Sequence, residues 1–305
     1  MYRIALSVAA CLRAGTRVDV AWVVDTDVAD DRDRADALAI TPGGGRVGSL
    51  VSGALDSQLS DLASRGSADG RLLDLQIGDV DALVAGLPRA GTARCLLVPA
   101  TTLPAELWER LTGREPVCMV TRIEGDEVRG TVLFDSESIT SAGEPLAQMF
   151  NRRQSDTVLT GDTVVTVLWP VTQLVIVGAG AIPEALGRAA ALLGWQTQII
   201  VDVSTATGVI AGLAGPDKLV VASHDVDIAG AALAAALSSD VGYIGALGAR
   251  RMQQARADWL AYRDITDLDR IHGPAGVDIG AETPAEIALS ILAEAVAVKS
   301  ISRAQ

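Results

Sequence analysis

The segment Leu174-Val175-Ile176-Val177-Gly178-Ala179-Gly180 runs an apolar stretch into a glycine turn, and a helical pattern, Pro183 to Leu193, starts directly after it. A strand ending in such a turn delivers backbone N–H groups to the amino end of a helix, where they bind phosphate or pyrophosphate. In this reading Gly178 permits the tight turn, Gly180 lets the backbone approach the anion, and Ala179, Ala181 and Ile182 complete the cradle. Pro183 stands where a third glycine is usual, which leaves Gly187 to serve close helix packing. Asp202 ends the next strand 22 residues after Gly180. A carboxylate there either bonds a ribose 2′-hydroxyl, favouring NAD over NADP, or caps a turn.

Two further segments end strands of the same pattern. His224-Asp225 follows the strand Lys218 to Ala222, which puts both residues at the carboxyl edge of a sheet, as acid–base candidates or as a structural histidine beside a helix cap. Gly245-Ala246-Leu247-Gly248-Ala249-Arg250-Arg251 leaves the strand Val241 to Ile244 and enters a helix, Ala249 to Tyr262. Two arginines in a first helical turn oppose the helix dipole. Either an anionic ligand, with Gly245 and Gly248 allowing its approach, or ion pairs to Asp240, Glu282 or Glu286 would offset that. Only two histidines occur, and no ligand spacing points to a metal.

The elements that must position these groups alternate strand and helix from Leu174 to Tyr262, the pattern of a parallel sheet with helices on both faces. The last helix opens with Thr283-Pro284-Ala285-Glu286, a capping box with proline at the first helical position. The amino-terminal half reads as a mixed α/β domain: a helix over residues 2–14, strands Val18 to Val24, Ala37 to Thr41 and Val47 to Leu50, a helix Ser52 to Ser64, then strands Leu72 to Ile77, Ala93 to Val98, Val117 to Ile123 and Val128 to Phe134, with a helix Pro104 to Leu111 between the second and third of these four. Asp25 to Asp36, with six aspartates, reads as a solvated loop. The polar stretch Asn151 to Asp156 suggests a boundary soon after it, giving domains 1–165 and 166–305.

Composition bounds the function. Lys and Arg total 25 against 38 Asp and Glu, a net charge of −13, which disfavours nucleic acid as a partner. No run approaches the roughly 18 apolar residues of a membrane span, and Ile4 to Ala10 with one Arg3 is too short and weakly basic for a signal segment, so a cytoplasmic protein is expected. Three cysteines without a C-x-x-C pair fit a reducing compartment. Cys95 and Cys118 fall in strands and are expected to be buried and inert; Cys11 lies on the opening helix.

The string Val241-Gly242-Tyr243-Ile244-Gly245-Ala246-Leu247-Gly248-Ala249-Arg250-Arg251, then His272-Gly273-Pro274-Ala275-Gly276-Val277-Asp278-Ile279-Gly280-Ala281, then Thr283-Pro284-Ala285-Glu286-Ile287-Ala288, Ser290 and Ala293-Glu294, resembles the XdhC/CoxI family of xanthine dehydrogenase accessory proteins. Gly44 to Asp56 looks like that family's amino-terminal motif in diluted form. The resemblance implies a maturation factor for molybdenum hydroxylases that binds the molybdenum cofactor (molybdopterin), guards it during sulfuration and passes it to the apoenzyme, with a cysteine desulfurase as a further partner and a homodimer as the family-level expectation. The family's G-G-C-x-E motif falls here on Ser52-Gly53-Ala54-Leu55-Asp56 and its C-G-G motif on Arg89-Ala90-Gly91, both without cysteine. A carrier, not a sulfur donor, is therefore expected. The competing readings are a divergent NAD-dependent oxidoreductase, with His224 as acid or base and Arg250 or Arg251 clamping a carboxylate, and a scaffold without ligand.

Overall fold

The computed structural model of the chain describes residues 1–28, 36–66 and 68–298, and the chain divides into two compact units, Met1–Pro170 and Val171–Gln305. In the first unit, helix α1 (Tyr2–Arg13) precedes strands β1 (Asp19–Thr26), β2 (Leu38–Ile40) and β3 (Arg46–Gly48). Helix α2 (Asp56–Ser64), β4 (Arg71–Ile77), α3 (Asp79–Val84), β5 (Gly91–Pro99) and α4 (Glu106–Thr112) follow. The unit ends with β6 (Val117–Glu124), β7 (Glu127–Phe134), α5 (Glu144–Asn151), β8 (Asp156–Thr160) and β9 (Thr163–Leu168). The strands form one antiparallel sheet in the order β3-β2-β1-β5-β4-β7-β6-β9-β8.

Alternation along β1 divides the core. Val20, Trp22 and Val24 pack with Ile4 and Val8 of α1 and with Leu107 and Leu111 of α4, while Ala21 and Val23 point the other way into a cluster with Leu50, Leu55 and Leu59. A strand buried on both faces loses the polar alternation of a half-exposed one, which is why β1 reads as a β-branched run.

Two local expectations change here, and a third lies largely outside the described residues. The helix expected from Ser52 begins at Asp56, because Val51, Ser52 and Gly53 have φ of 51°, 53° and 91°, outside a right-handed helix. Helix α5 and the hairpin β8–β9 lie where no element was assigned, so the chain enters its second unit only after Pro170. The expected acidic loop falls largely on residues 29–35, outside the described residues.

The second unit runs β10 (Gln173–Val177), α6 (Ala181–Leu192), β11 (Gln196–Ile200), α7 (Val203–Ile210), β12 (Lys218–Val221), α8 (Val226–Leu237), β13 (Tyr243–Ala246), α9 (Arg250–Ala261), β14 (Ile271–His272) and α10 (Pro284–Ala297). The sheet order is β11-β10-β12-β13-β14, every pair parallel. Leu174 and Ile176 face a cluster built from α6 and α10, and Val175 and Val177 face one built from α7, α8 and α9. This is a Rossmann-like parallel sheet with helices on both faces. Strand β13 begins two residues later than the pattern suggested, and α7 is an addition to it. Among the described residues no helix is long and apolar enough to cross a membrane.

Gly48, with φ of 86°, ends the edge strand β3, and a Cβ there would lie 2.1 Å from the Ala37 carbonyl oxygen. Gly44 has φ of 79° with open space around it. Gly48→Ala is expected to destabilise the chain by about 2–4 kcal/mol, combining left-handed strain with a backbone clash. Gly44→Ala carries the strain alone, about 1–2 kcal/mol. Denaturant midpoints check the pair, and equal losses would mean that the contact at Ala37 yields.

Candidate functional site

The second unit's chain passes from β10 outward to β11 and then returns to β12 on the other side of β10, so the connections diverge between β10 and β12. Open parallel sheets bind ligands in the crevice at the carboxyl ends of such a strand pair. The backbone there is tightly specified. The Gly178 N–H donates to the Ile200 carbonyl at 2.9 Å and the Ala222 N–H to the Val177 carbonyl at 2.8 Å. Gly178 has φ of 135°, and a Cβ would sit 2.8 Å from Ser223 N and 2.9 Å from Ala222 C. Glycine at this position answers the approach of two strands, so a side chain there threatens the fold before it meets any ligand.

Gly180 differs. Its φ is 116°, and no atom lies within 4 Å of where a Cβ would be. It occupies the cap position of α6 with no side chain to satisfy the first turn. Glu184 donates back to the Gly180 carbonyl and Pro183 has no N–H, which leaves the N–H groups of Ala181 and Ile182 at the helix end without intrahelical partners. Ala179, Gly180 and Ala181 are exposed. Gly187, by contrast, meets only ordinary contacts with Thr197 and Ile199 on β11, at 3.5 and 3.9 Å, so close packing does not require glycine there.

Asp202 caps α7: its Oδ2 accepts from the N–H and the hydroxyl of Thr205, both at 2.7 Å. The Thr205 bonds hold its carboxyl below the usual range. Asp225 caps α8, its Oδ1 accepting from the N–H groups of Asp227 and Ile228 at 2.9 and 3.1 Å. His224, one residue before, is exposed at the same edge. Both capping readings of these aspartates are therefore realised in the fold.

Gly245 is buried inside β13, where a Cβ would lie 2.7 Å from the Tyr243 hydroxyl oxygen. The glycine leaves that ring room to reach across the sheet. Tyr243 donates to Glu294 Oε2 at 2.7 Å, the Gly276 N–H donates to the same oxygen at 2.8 Å, and His272 Nδ1 lies 3.4 Å from Glu294 Oε1. Burial first, and then the Glu294 carboxylate, push the Tyr243 hydroxyl pKa well up, so it stays a donor. Ser290 completes this latch by donating to the Val277 carbonyl at 2.6 Å, and a Cβ on Gly276 would strike its hydroxyl at 2.3 Å.

The turn after β13 is held from below by α9. Gln253 Nε2 donates to the Ala246 and Gly248 carbonyls at 2.9 and 3.1 Å. Arg256, only 2% exposed, donates to the Leu247 carbonyl at 2.5 Å and to the Ser223 carbonyl at 2.8 Å. One buried guanidinium thus ties the turn after β12 to the turn after β13. Sequence reasoning missed Arg256, although its i,i+4 spacing to the buried Leu260 places it on the inward face of α9.

Arg250 and Arg251 open α9, exposed, and among the described residues neither makes an ion pair. Of the carboxylates considered for them, Glu286 is occupied by the N–H groups of Glu282 and Thr283, at 3.0 and 2.9 Å, bonds that also lower its pKa. Two unpaired cations against a helix dipole, above a sheet edge, make an anion-attracting margin. Among the described residues no group of three or more His, Cys, Asp or Glu could hold a metal.

The segment resembling the amino-terminal motif has its own geometry in the first unit. Val51, Ser52 and Gly53 form a run of positive φ, closed by the Leu50 N–H donating to Asp56 Oδ1 at 3.0 Å. Ala54 stands where the resemblance would put cysteine. The turn Arg89-Ala90-Gly91 wraps Asp27, whose Oδ1 accepts from the Thr92 N–H at 2.7 Å, and that bond leads the lowering of the Asp27 pKa.

Arg256→Leu is expected to cost about 2–4 kcal/mol, because two half-buried carbonyls lose a charged donor. Hydrogen exchange should speed up at residues 223–228 and 247–253 together. Loosening of only one turn would show that Arg256 does not couple them.

Residues 174–295 match the family model described as the XdhC Rossmann domain. A curated relative, an uncharacterized protein YqeB from Escherichia coli K12, is 31% identical over 150 residues; the match spans 42% of this chain and 27% of that protein. A solved structure described as a xanthine dehydrogenase from Bacillus halodurans covers 96% of this chain and 95% of its own at 20% identity, with a TM-score of 0.47. The matched span runs from β10 into α10 and includes every element that builds the carboxyl edge, so it is over residues 174–295 that this chain is similar to the XdhC Rossmann domain.

Proposed function

We propose that this protein is an XdhC-type accessory factor that holds a phosphate-bearing cofactor, the molybdenum cofactor or a nucleotide such as NAD, and assists maturation of a xanthine dehydrogenase-type molybdoenzyme. The observation that carries this reading is the open backbone at Gly180: bare glycine at a helix amino end, free N–H groups on Ala181 and Ile182, and no neighbouring atom where a side chain would stand. That cradle suits a phosphate or pyrophosphate. Arg250 and Arg251 would engage a second anionic group, or draw an anion toward an otherwise acidic protein.

The residues present fit the phosphate end of such a cofactor and not a sulfur relay. Burial pushes the Cys95 thiol up to about 12 and the Cys118 thiol to about 11, and both side chains are fully buried. Cys11 packs half-buried against the first core, and alanine holds the motif's cysteine position. A persulfide needs an accessible thiolate. In this reading the chain binds, shields and delivers, while the metal's own redox chemistry belongs to the client enzyme.

Anaerobic purification from a host that makes the molybdenum cofactor, followed by release and detection of the pterin, tests the reading. Stoichiometric pterin supports it. NAD binding with substrate-dependent reduction, and no pterin, turns the assignment to an oxidoreductase using His224.

Gly180→Val is expected to weaken pterin or NAD binding by at least about tenfold in calorimetry, about 1.4 kcal/mol. Undiminished affinity in a folded variant would remove the phosphate role. Arg250→Ala with Arg251→Ala should lower affinity and flatten its salt dependence.

Replacing Cys11, Cys95 and Cys118 by alanine is expected to leave activation of the client enzyme nearly intact, measured with a sulfide source and a desulfurase present. Lost activation in a folded cysteine-free protein would contradict the carrier role.

A further inference from the structure

Arg256 is a buried cation without a counter-charge. Besides the Leu247 and Ser223 carbonyls, its guanidinium meets Gln253 Oε1 at 3.4 Å and Met252 Sδ at 3.3 Å, and all four partners are neutral. Among the described residues no carboxylate pairs with it, and its Nε, shut off from water, donates to nothing. Burial lowers its pKa with no acidic neighbour opposing the shift. The carbonyls satisfy its N–H groups and leave its charge unbalanced, and a buried charge at such a cost calls for a partner of opposite sign. The guanidinium sits under the turn that opens the 12-residue helix α9. There Gly248 has φ of 126°, and among the described residues the N–H groups of Gly248, Ala249, Arg250 and Arg251 find no acceptor. One turn thus gathers a helix amino end, two exposed arginines and a buried third, all of one sign, in a chain with a net charge of −13.

We propose that the turn from Gly248 to Arg251 is a second anion subsite, with Arg256 as its buried counter-charge, and that the ligand held at Gly180 carries another anionic group at its far end. This rests on the phosphate reading of Gly180 given above. Strand β12 lies between β10 and β13, so at about 4.8 Å per strand the two turns stand roughly 10 Å apart along the edge. One pyrophosphate does not reach across that gap. A dinucleotide laid in the Rossmann manner turns one ribose toward the end of β11 and its other half toward β12 and β13. An oxidised nicotinamide in that half would bring a positive ring against Arg250, Arg251 and Arg256. The ligand class that fits is a phosphate-bearing molecule with an anionic head.

Calorimetry and hydrogen exchange on the full chain test this with two probes, hexyl phosphate and the terminal bisphosphate of hexanediol, whose phosphates span the gap when the chain is extended. The bisphosphate should bind at least about tenfold more tightly than the monoester, and it should slow exchange at residues 181–182 and 248–251 together. Arg256→Gln should remove that advantage. Arg256→Lys, which keeps a cation, should retain part of it, whereas a role confined to tying the two turns predicts the same outcome in both variants. If Arg256→Gln fails to fold, the exchange pattern of the wild-type chain decides. Equal affinities for the two probes, with 248–251 unprotected, overturn the second subsite and leave the Gly180 reading standing if 181–182 are protected. Protection at 248–251 alone upholds the α9 subsite and removes the role of Gly180. Protection at neither turn overturns both.

Discussion

The carboxyl edge depends on a buried cation. Arg256 places its guanidinium between the Ser223 and Leu247 carbonyls, in a space with almost no access to water. Desolvation lowers its pKa, so burying it has a real cost, and what offsets that cost is the satisfaction of carbonyls that neither turn can pair internally. The turn after β12 carries His224 and the cap of α8; the turn after β13 leads to Arg250 and Arg251. Both are loops in their own right, and loops without a shared anchor move independently. Joined through one rigid planar group, they present a single margin to whatever binds at the strand ends.

That margin is organised by subtraction as much as by contact. Gly178, Gly245 and Gly276 are each glycine because a neighbour occupies the space of a side chain: the β12 backbone, the Tyr243 hydroxyl and the Ser290 hydroxyl. Gly180 is glycine with nothing in that space. Four glycines in motif-like settings therefore divide into three that pay for packing and one that leaves room. Charge follows the same division, since Asp202, Asp225 and Glu286 are consumed in helix caps while Arg250 and Arg251 keep theirs available.

The alternation of buried parallel strands was legible in the sequence because Leu174 to Val177 and Lys218 to Val221 are short apolar runs bounded by turn residues. Helix α7 was not, because Val203-Ser-Thr-Ala-Thr-Gly-Val-Ile is poor in helix formers and is started by the Asp202 cap, a local hydrogen bond that propensity does not reveal. Strand β13 was read early because Gly245 lowers strand propensity at the very place where Tyr243 needs space. Hairpin β8–β9 went unread although its valines and threonines favour strands, because the polar stretch Asn151 to Asp156 just before it reads as a boundary. At the site, the sequence indicated the glycine turn, the edge histidine and the arginine pair by position. Arg256 and Glu294 escaped as anchors because a long charged side chain reads as solvated until its carbonyl, amide or hydroxyl partners are known.

The loop from Leu50 to Asp56 bears on how such a protein can lose a reactive group and keep its shape. Two non-glycine residues there, one of them the β-branched and buried Val51, hold a left-handed conformation that costs roughly 1–2 kcal/mol apiece. The conformation is over-determined from outside: Leu50 and Leu55 are fully buried on either side of it, and the Asp56 carboxylate closes it on the Leu50 N–H. None of these restraints involves position 54, where the resemblance would put cysteine. The side chain at that position can therefore change without releasing the strain, so the motif's shape and the motif's chemistry are physically separable. A chain that keeps the first without the second is constrained by what the loop must pack against.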